Sequence, residues 1–391
     1  MVGNDGRSVS YGIIFQIINV VTVLADDITG AAEIAGVCLR FGLSVTFDFD
    51  FHIERLPLTD VWIIASDTRS LPEKEAGVAV RKIVKTLNIL QVTTIFKKID
   101  SALRGHILSE INALREYFQI EKVFILPANP ETGRTIEGGI YRINGQPLHQ
   151  TAFAHDPDFP AQTASVREIL QLTENDADMV TPDIFKKEDY ETCARQIRSE
   201  ILPVGGSVFF EACLPVYFPL AKPHSVAPQS VHNEKSMLMI CGSTHEASKQ
   251  FIRENRIFYR LDINAGFVEE LLENTEKFRI WMENTRLNFN HYKKVMITVK
   301  NEYGWFVSSK RVKNFLAVIT AELIRKCAID ELLIEGGATA YACLQQAGFS
   351  SLVPVEEYSR GVVRFKIPCK MNLHLTLKPG SYEWSSKLFE S

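Results

Sequence analysis

At 391 residues, 46% hydrophobic and 23% charged, the chain has the make-up of a folded globular protein and is longer than one hydrophobic core usually serves, which predicts two domains and argues against disorder. A formal net charge of -4 gives no whole-molecule attraction to nucleic acid or to an anionic membrane, so the expected partner is a small molecule. Seven cysteines, Cys38, Cys193, Cys213, Cys241, Cys327, Cys343 and Cys369, form no CxxC pair and read as reduced thiols of a cytoplasmic protein without structural zinc.

The first apolar run, Gly12 to Ala25, is neither a signal peptide nor a membrane span. No basic cluster precedes it, Gln16 and Asn19 interrupt it, and it is shorter than the roughly 20 residues a spanning helix needs. Residues 1–17 are read as an extra strand or a mis-assigned start. The run ends as a buried strand in ADDITG, and a one-sided helix follows with Ala31, Ile34, Ala35, Cys38 and Leu39 at helical spacing, stopped by Gly42. A second strand is expected at Ser44–Phe49. Val61–Ala65 is a third, followed by the loop SDTRS (Ser66–Ser70) and a helix carrying Ala76, Val80, Ile83, Val84 and Leu87. Thr93–Phe96 leads into KKIDSALRG (Lys97–Gly105) and a helix with Ile107, Ile111, Leu114 and Phe118 on one face. Lys122–Leu126 is a buried strand that opens into the long loop PANPETGRTIEGG, Pro127–Gly139.

Alternating strand and helix imply a parallel sheet, so these four loops open at one edge, where open α/β sheets bind ligands. Together they offer the acids Asp26, Asp27, Asp67 and Asp100, the cations Arg69, Lys97, Lys98, Arg104 and Arg134, and the hydroxyls Thr29, Ser101 and Thr135. That mixture suits a small polyhydroxylated anion, with guanidinium forks for a carboxylate and carboxylates for hydroxyls, one of which could remove a proton. Lys97 and Lys98, adjacent on a strand, point to opposite faces, so one of them is expected in the pocket. Asp27 and Thr29 are also natural caps for the following helix. Two neighbouring carboxylates repel, which predicts a cation beside Asp26 and Asp27.

Further along, Asp176–Phe185 reads as a strand, Lys186–Ile201 as a helix and Ser207–Phe210 as a final short strand. Lys222–Ser236, with two prolines and two histidines, is the expected linker, in which His224 and His232 are solvated rather than metal-binding. A second α/β unit begins at Met237 and passes from a strand through Gly242 and Ser243 into a helix. It continues through Lys294–Val299 to ELLIEGGATAYACLQQAG, where Gly336 and Gly337 meet a helix start, and ends in the strand Leu373–Leu377 and the turn LKPGSYE. Paired glycines at a helix N-terminus let a phosphate approach the backbone. Neither a Walker A sequence nor a GxGxxG after the first strand occurs.

In combination, ADDITGAAEIAG (Ala25–Gly36), KKIDSALRG, GRTIEGG (Gly133–Gly139), INGQPLHQTAFAHD (Ile143–Asp156), CGS (Cys241–Ser243), EGGATA (Glu335–Ala340) and KPGS (Lys378–Ser381) resemble the four-carbon acid sugar kinases, a family that includes D-threonate, D-erythronate and 3-oxo-tetronate kinases. The resemblance covers almost the whole chain. It implies two α/β domains with largely parallel sheets facing across a cleft: an acid-sugar domain, taken as residues 1–221, and an ATP domain, taken as 237–391, joined by 222–236. It implies ATP with Mg²⁺ as phosphoryl donor to the C4 hydroxyl, of D-threonate or D-erythronate first and of a 3-oxo-tetronate as the alternative. Carried over by motif, Ser243, Gly336, Gly337, Ala338, Thr339 and Gly380 are nucleotide contacts, and no residue is assigned as a metal ligand. The chain departs from the family where Ala102 replaces a hydroxyl residue and Ala338 a glutamate.

For the chemistry, Asp27 is the candidate base, and Arg104 with Lys98 or Lys97 would hold the substrate carboxylate or the developing phosphate charge. Asp26, Thr29, Asp67, Arg69, Asp100, Ser101 and Arg134 would bind substrate, with Asp26 and Asp27 interchangeable at this stage. A homodimer is left open. The competing class is a nicotinamide-dependent hydroxy-acid dehydrogenase, motivated by the first βαβ unit and by Asp48 and Asp50 about 20 residues on.

Overall fold

A computed structural model describes residues 20–49, 55–156, 158–224, 235–243, 245–300 and 308–389. Residues 1–17, most of the expected linker including His232, and Asp50 lie outside these. Seven strands of the first half run parallel in the order Val45–Asp48, Val61–Ala65, Val21–Ala25, Thr94–Lys98, Ile201–Gly205, Lys122–Leu126, Met179–Val180. From Val21–Ala25 the chain first builds outward on one side, then crosses to the other with Thr94–Lys98. The loops after these two neighbouring strands therefore diverge and open a crevice, the topological switch point of a doubly wound sheet.

The second half repeats this path. Tyr259–Asn264, Lys294–Lys300, Met237–Cys241 and Glu331–Glu335 are parallel neighbours in that order, and His374–Lys378 extends them. Its switch point lies between Met237–Cys241 and Glu331–Glu335, which puts CGS and EGG side by side. Two antiparallel strands, Val362–Lys366 and Ser351–Ser359, then carry the sheet onward to Val45–Asp48 of the first half, through the register pairs Ser351–Asp48 and Leu352–Phe47. Among the described residues the expected pair of sheets is thus one fourteen-stranded surface. Phe47 and Phe365 pack edge to face at 5.3 Å across this seam, and the Tyr341 hydroxyl donates to the Phe49 carbonyl at 3.1 Å.

Helix Ile28–Arg40 lies over the seam, buried along Ile28–Cys38, with Asp27 as its N-cap accepting from the Gly30 amide at 2.9 Å. Several elements differ from the sequence reading. Ser207–Tyr217 is a helix, and the strand sits just before it at Ile201–Gly205, central in the sheet despite Pro203. The aromatic run Ser207–Phe210 reads as a strand by composition, yet its burial between layers is equally served by a helix. Of Asp176–Phe185 only Met179–Val180 pairs, and the helix of Lys186–Ile201 is confined to Lys187–Ala194. The loop after Lys122–Leu126 carries a separate antiparallel sheet, Arg134–Glu137, Ile140–Ile143 and Gln146–Pro147. All seven cysteines are free, five of them buried, and among the described residues no helix is long and apolar enough to cross a membrane.

Candidate active site

The tandem acids at the end of Val21–Ala25 have the cation that their repulsion calls for. Arg69, from SDTRS, grips Asp26 with Nε on Oδ2 at 2.8 Å and Nη2 on Oδ1 at 2.9 Å, and the same Nη2 reaches Asp27 Oδ1 at 3.1 Å. Its Nη1 lies 3.5 Å from Asp100 Oδ1, so one partly buried guanidinium joins three carboxylates. Asp26 has both oxygens committed to Arg69. Asp27 accepts instead from the Thr29 hydroxyl at 2.5 Å and from the Gly30 amide. Burial pushes its carboxyl pKa upward, but Arg69, Lys98 and the Thr29 hydroxyl outweigh that and leave it below the usual carboxylate range. Asp27 is therefore ionised at neutral pH.

The lysine pair divides as its strand geometry requires. Lys98 turns toward helix Ile28–Arg40, where its ammonium donates to the Ile99 carbonyl at 2.9 Å and lies 3.7 Å from Glu33. An added Cβ on Gly30 would come within 2.8 Å of Lys98 Nζ and 2.6 Å of Asp27 Oδ1, so the ammonium and the carboxylate converge on one spot. Lys97 turns to the other face, fully buried, with Nζ 2.5 Å from Glu110, whose other oxygen takes the Thr68 hydroxyl. It braces the sheet and does not face the crevice. Beyond it, Asp100 binds Arg104 through both oxygens (3.0 and 2.9 Å) and caps the Ala102 amide at 2.9 Å. Two guanidinium neighbours outweigh burial and hold the Asp100 carboxyl far down. Arg134 bonds the Ser101 hydroxyl, and Arg104 and Arg134 both lie over the Phe153 ring, at 5.5 and 5.7 Å. Asp67 sits at the loop's start with a left-handed backbone (φ 50°), its carboxyl raised to about 7 by burial, which Lys313 and Ser70 only partly offset.

In the second half, three turns interlock at the switch point. Gly336 takes φ +95° and starts helix Gly337–Gln346. Gly242 packs directly on Thr339, and a Cβ on Gly380 would reach Ser243 Oγ at 2.5 Å. Ser243, Gly336, Gly337, Thr339 and Gly380 thus lie together, with Ala338 exposed beside them. Behind them Lys378 is buried, 3.4 Å from Glu335, and donates to the Pro379 and Tyr382 carbonyls.

The two patches meet. A Cβ on Gly337 would lie 2.8 Å from Asp27 Oδ2 and 3.1 Å from Thr29 Oγ1. Two helix N-termini therefore converge on the Asp27 carboxylate, one capped by Asp27 itself and one opened by Gly336. Their partial positive charge favours an anion in the same place. A Gly30 position already filled by Asp27 and Lys98 is poorly suited to a dinucleotide pyrophosphate, and Asp48 is engaged by the Trp62 indole at 2.9 Å. Both observations weigh against the dehydrogenase alternative.

Comparison with known proteins agrees with this division. Residues 21–199 match the family model for a sugar-binding N-terminal domain and residues 238–382 that for a nucleotide-binding C-terminal domain. Together the two matches span most of the chain, which joins a sugar-binding N-terminal domain to a nucleotide-binding C-terminal domain. Among curated relatives, a Bordetella bronchiseptica D-threonate kinase is 29% identical over 154 residues and a Salmonella typhimurium D-threonate kinase 30% identical over 151. These alignments span 38% of this chain and only 38% and 36% of those proteins' lengths. An Actinobacillus succinogenes 3-oxo-tetronate kinase is 24% identical across 92% of this chain and 96% of its own. The fold is shared with a crystal structure of a Haemophilus influenzae protein of the DUF1537 family (TM-score 0.67, 18% identity, 94% of this chain and 98% of that one).

Several residues of the crevice escaped the sequence reading. Glu33, Glu110, Phe153, Asp156 and Tyr382 all contact residues named above, Asp156 through Arg104 at 3.1 Å and Tyr382 through the Lys378 ammonium. Phe153 and Asp156 lie inside INGQPLHQTAFAHD, and Tyr382 inside KPGSYE, so the motifs contained them. Glu33 and Glu110 sit on helices where a charge ordinarily marks a solvated face. Glu110 follows the lysine-bearing KKIDSALRG in the first turn of its helix, a signal the sequence carries, whereas Glu33 follows ADDITG, which holds no lysine.

Proposed function

We propose that the protein is an ATP-dependent kinase that phosphorylates the C4 hydroxyl of a four-carbon acid sugar, D-threonate in the first instance and D-erythronate next. The observation that carries this reading is the contact of Asp27 with Gly337, a carboxylate of the sugar half against the helix N-terminus of the nucleotide half. The division of labour follows. Residues 1–221 hold the sugar and 237–391 the nucleotide, with Ser243, Gly336, Gly337, Ala338, Thr339 and Gly380 around the phosphates. Mg²⁺ enters with ATP as the MgATP substrate. Arg104 and Arg134, stacked over Phe153, present guanidinium edges to the substrate carboxylate.

In the transfer, the C4 oxygen forms a bond to the γ-phosphorus as the bond to the β,γ-bridging oxygen breaks, ADP leaves, and the hydroxyl proton passes to Asp27. A carboxyl held low in pKa is a weak base, so Asp27 acts mainly by orienting the hydroxyl and takes its proton late, once bonding to phosphorus has acidified it. Lys98 and the helix N-termini offset the phosphate charge. Free, largely buried cysteines support a cytoplasmic setting. A 3-oxo-tetronate is the second reading, favoured by the relative that matches along nearly the whole chain. A coupled ADP-release screen over D-threonate, D-erythronate, their L-epimers and 3-oxo-tetronates with MgATP decides between them. The reading expects one clear winner, and ADP release independent of every acid sugar refutes it.

A further inference from the structure

The strand His374–Lys378 ends on a lysine that meets no water. Lys378 and its register neighbour Glu335 are both fully buried at the carboxyl ends of adjacent strands, with Nζ 3.4 Å from Glu335 Oε2. The Trp384 indole donates to the same oxygen at 3.0 Å. Desolvating such a pair offsets most of its attraction, and an apolar side chain of similar length would fill the space as well. What the ammonium alone supplies is three donors. One faces Glu335, and the others reach the carbonyls of Pro379 at 3.0 Å and of Tyr382 at 2.5 Å.

The KPGS turn is thereby held from beneath by its carbonyls. Ser248, buried on helix Glu246–Glu254, donates its hydroxyl to the Gly380 carbonyl at 3.1 Å, and the Lys378 carbonyl takes the Gly336 amide at 3.0 Å. Pro379 has no amide to offer, and among the described residues the amides of Gly380 and Ser381 find no backbone acceptor. Carbonyls engaged by the interior and amides left over make an anion-binding turn, here beside Ser243 and the N-terminus of helix Gly337–Gln346. We propose that Lys378 and Ser248 are positioning residues for the nucleotide: by taking the carbonyls of the turn they present the amides of Gly380 and Ser381 to a phosphate, which adds Ser381 to the phosphate contacts. This rests on the nucleotide site of the kinase reading above.

K378M alone would leave Glu335 charged and buried, with Oε1 already lacking a partner, so it is made together with E335Q and compared with E335Q. S248A deletes a single hydroxyl and decides the matter on its own if the double variant fails to fold. MgADP is titrated calorimetrically without sugar. Its Kd is expected to rise about tenfold or more when K378M is added to E335Q and about threefold in S248A, the order of losing charged and neutral hydrogen bonds. In the coupled assay KM for MgATP should rise in the same proportion, with kcat and KM for the acid sugar within about twofold. In the wild type, MgADP should move the amide proton resonances of Gly380 and Ser381 downfield. An unchanged Kd in both variants, a fall in thermal midpoint with Kd unchanged, a loss confined to kcat, or unmoved amide resonances each overturns the proposal, and does so alone if the wild type turns over an acid sugar. A wild type that binds MgADP but turns over no acid sugar removes the kinase reading and leaves the titration and the resonances to decide the turn. A wild type that binds no MgADP overturns both.

Discussion

Gly337→Ala perturbs the junction on which the proposed reaction depends. The added methyl would stand 2.8 Å from Asp27 Oδ2 and 3.1 Å from Thr29 Oγ1, against about 3.4 Å or more for ordinary contact, so the carboxylate or the turn must move. Asp27 is not free to yield, because it is held by the Thr29 hydroxyl at 2.5 Å, the Gly30 amide at 2.9 Å and Arg69 at 3.1 Å. Losing one such charge-assisted bond costs about 1.5–3 kcal/mol, equivalent to a loss of roughly 10- to 150-fold if it falls on the transition state. Alanine at this first helical position returns up to about 1 kcal/mol of helix propensity, so stability should change less than catalysis. The expected result is kcat/KM for the preferred acid sugar lowered at least tenfold in the coupled ADP-release assay, with the thermal midpoint within a few degrees of wild type. Turnover within threefold of wild type would mean that Asp27 and the glycine turn need not touch, and the argument from their contact would fail.

Two further outcomes follow from the buried charges. Lys97→Met leaves Glu110 buried at 1% exposure without its ammonium, which should cost about 3–5 kcal/mol in urea unfolding and be largely restored by adding Glu110→Gln; near-native stability of Lys97→Met alone would contradict the bracing role. Asp67, raised from 3.8 to about 7, binds its proton more tightly folded than unfolded, so its contribution is fully present below pH 3.8 and is lost as pH rises through about 7. That amounts to roughly 4 kcal/mol. Unfolding free energy should therefore fall between pH 4 and 7 in the wild type and fall less in Asp67→Asn. Parallel curves for the two proteins would refute the assignment.

Much of the site was legible because strand ends are. Buried runs ending in ADDITG and KKID, repeated alternation of strand and helix, and glycine pairs at helix starts place these loops at one sheet edge on local grounds alone. The repulsion of Asp26 and Asp27 required a cation, and Arg69 answers it. What escaped depends on distant partners. Whether Lys97 or Lys98 enters the crevice is set by Glu110 and Glu33, two carboxylates on helices whose faces are known only once the layers are packed. The joining of the halves through Ser351–Ser359 and Val45–Asp48 rests on two register pairs between segments some three hundred residues apart, and an edge strand does not announce its partner. Ser207–Phe210 reads as a strand but begins the helix Ser207–Tyr217, because aromatic composition marks burial and not the type of element that provides it.

The most direct measurement is the ³¹P spectrum of the product made from MgATP and the preferred acid sugar, by the wild type and by Asp27→Asn. Transfer to the C4 hydroxyl predicts a phosphate monoester resonance split into a triplet by the two C4 protons, formed by the wild type and slower by at least a hundredfold in Asp27→Asn, with ATP binding retained. A doublet, marking a C2 or C3 ester, or inorganic phosphate alone, or an undiminished triplet from Asp27→Asn, would contradict the account.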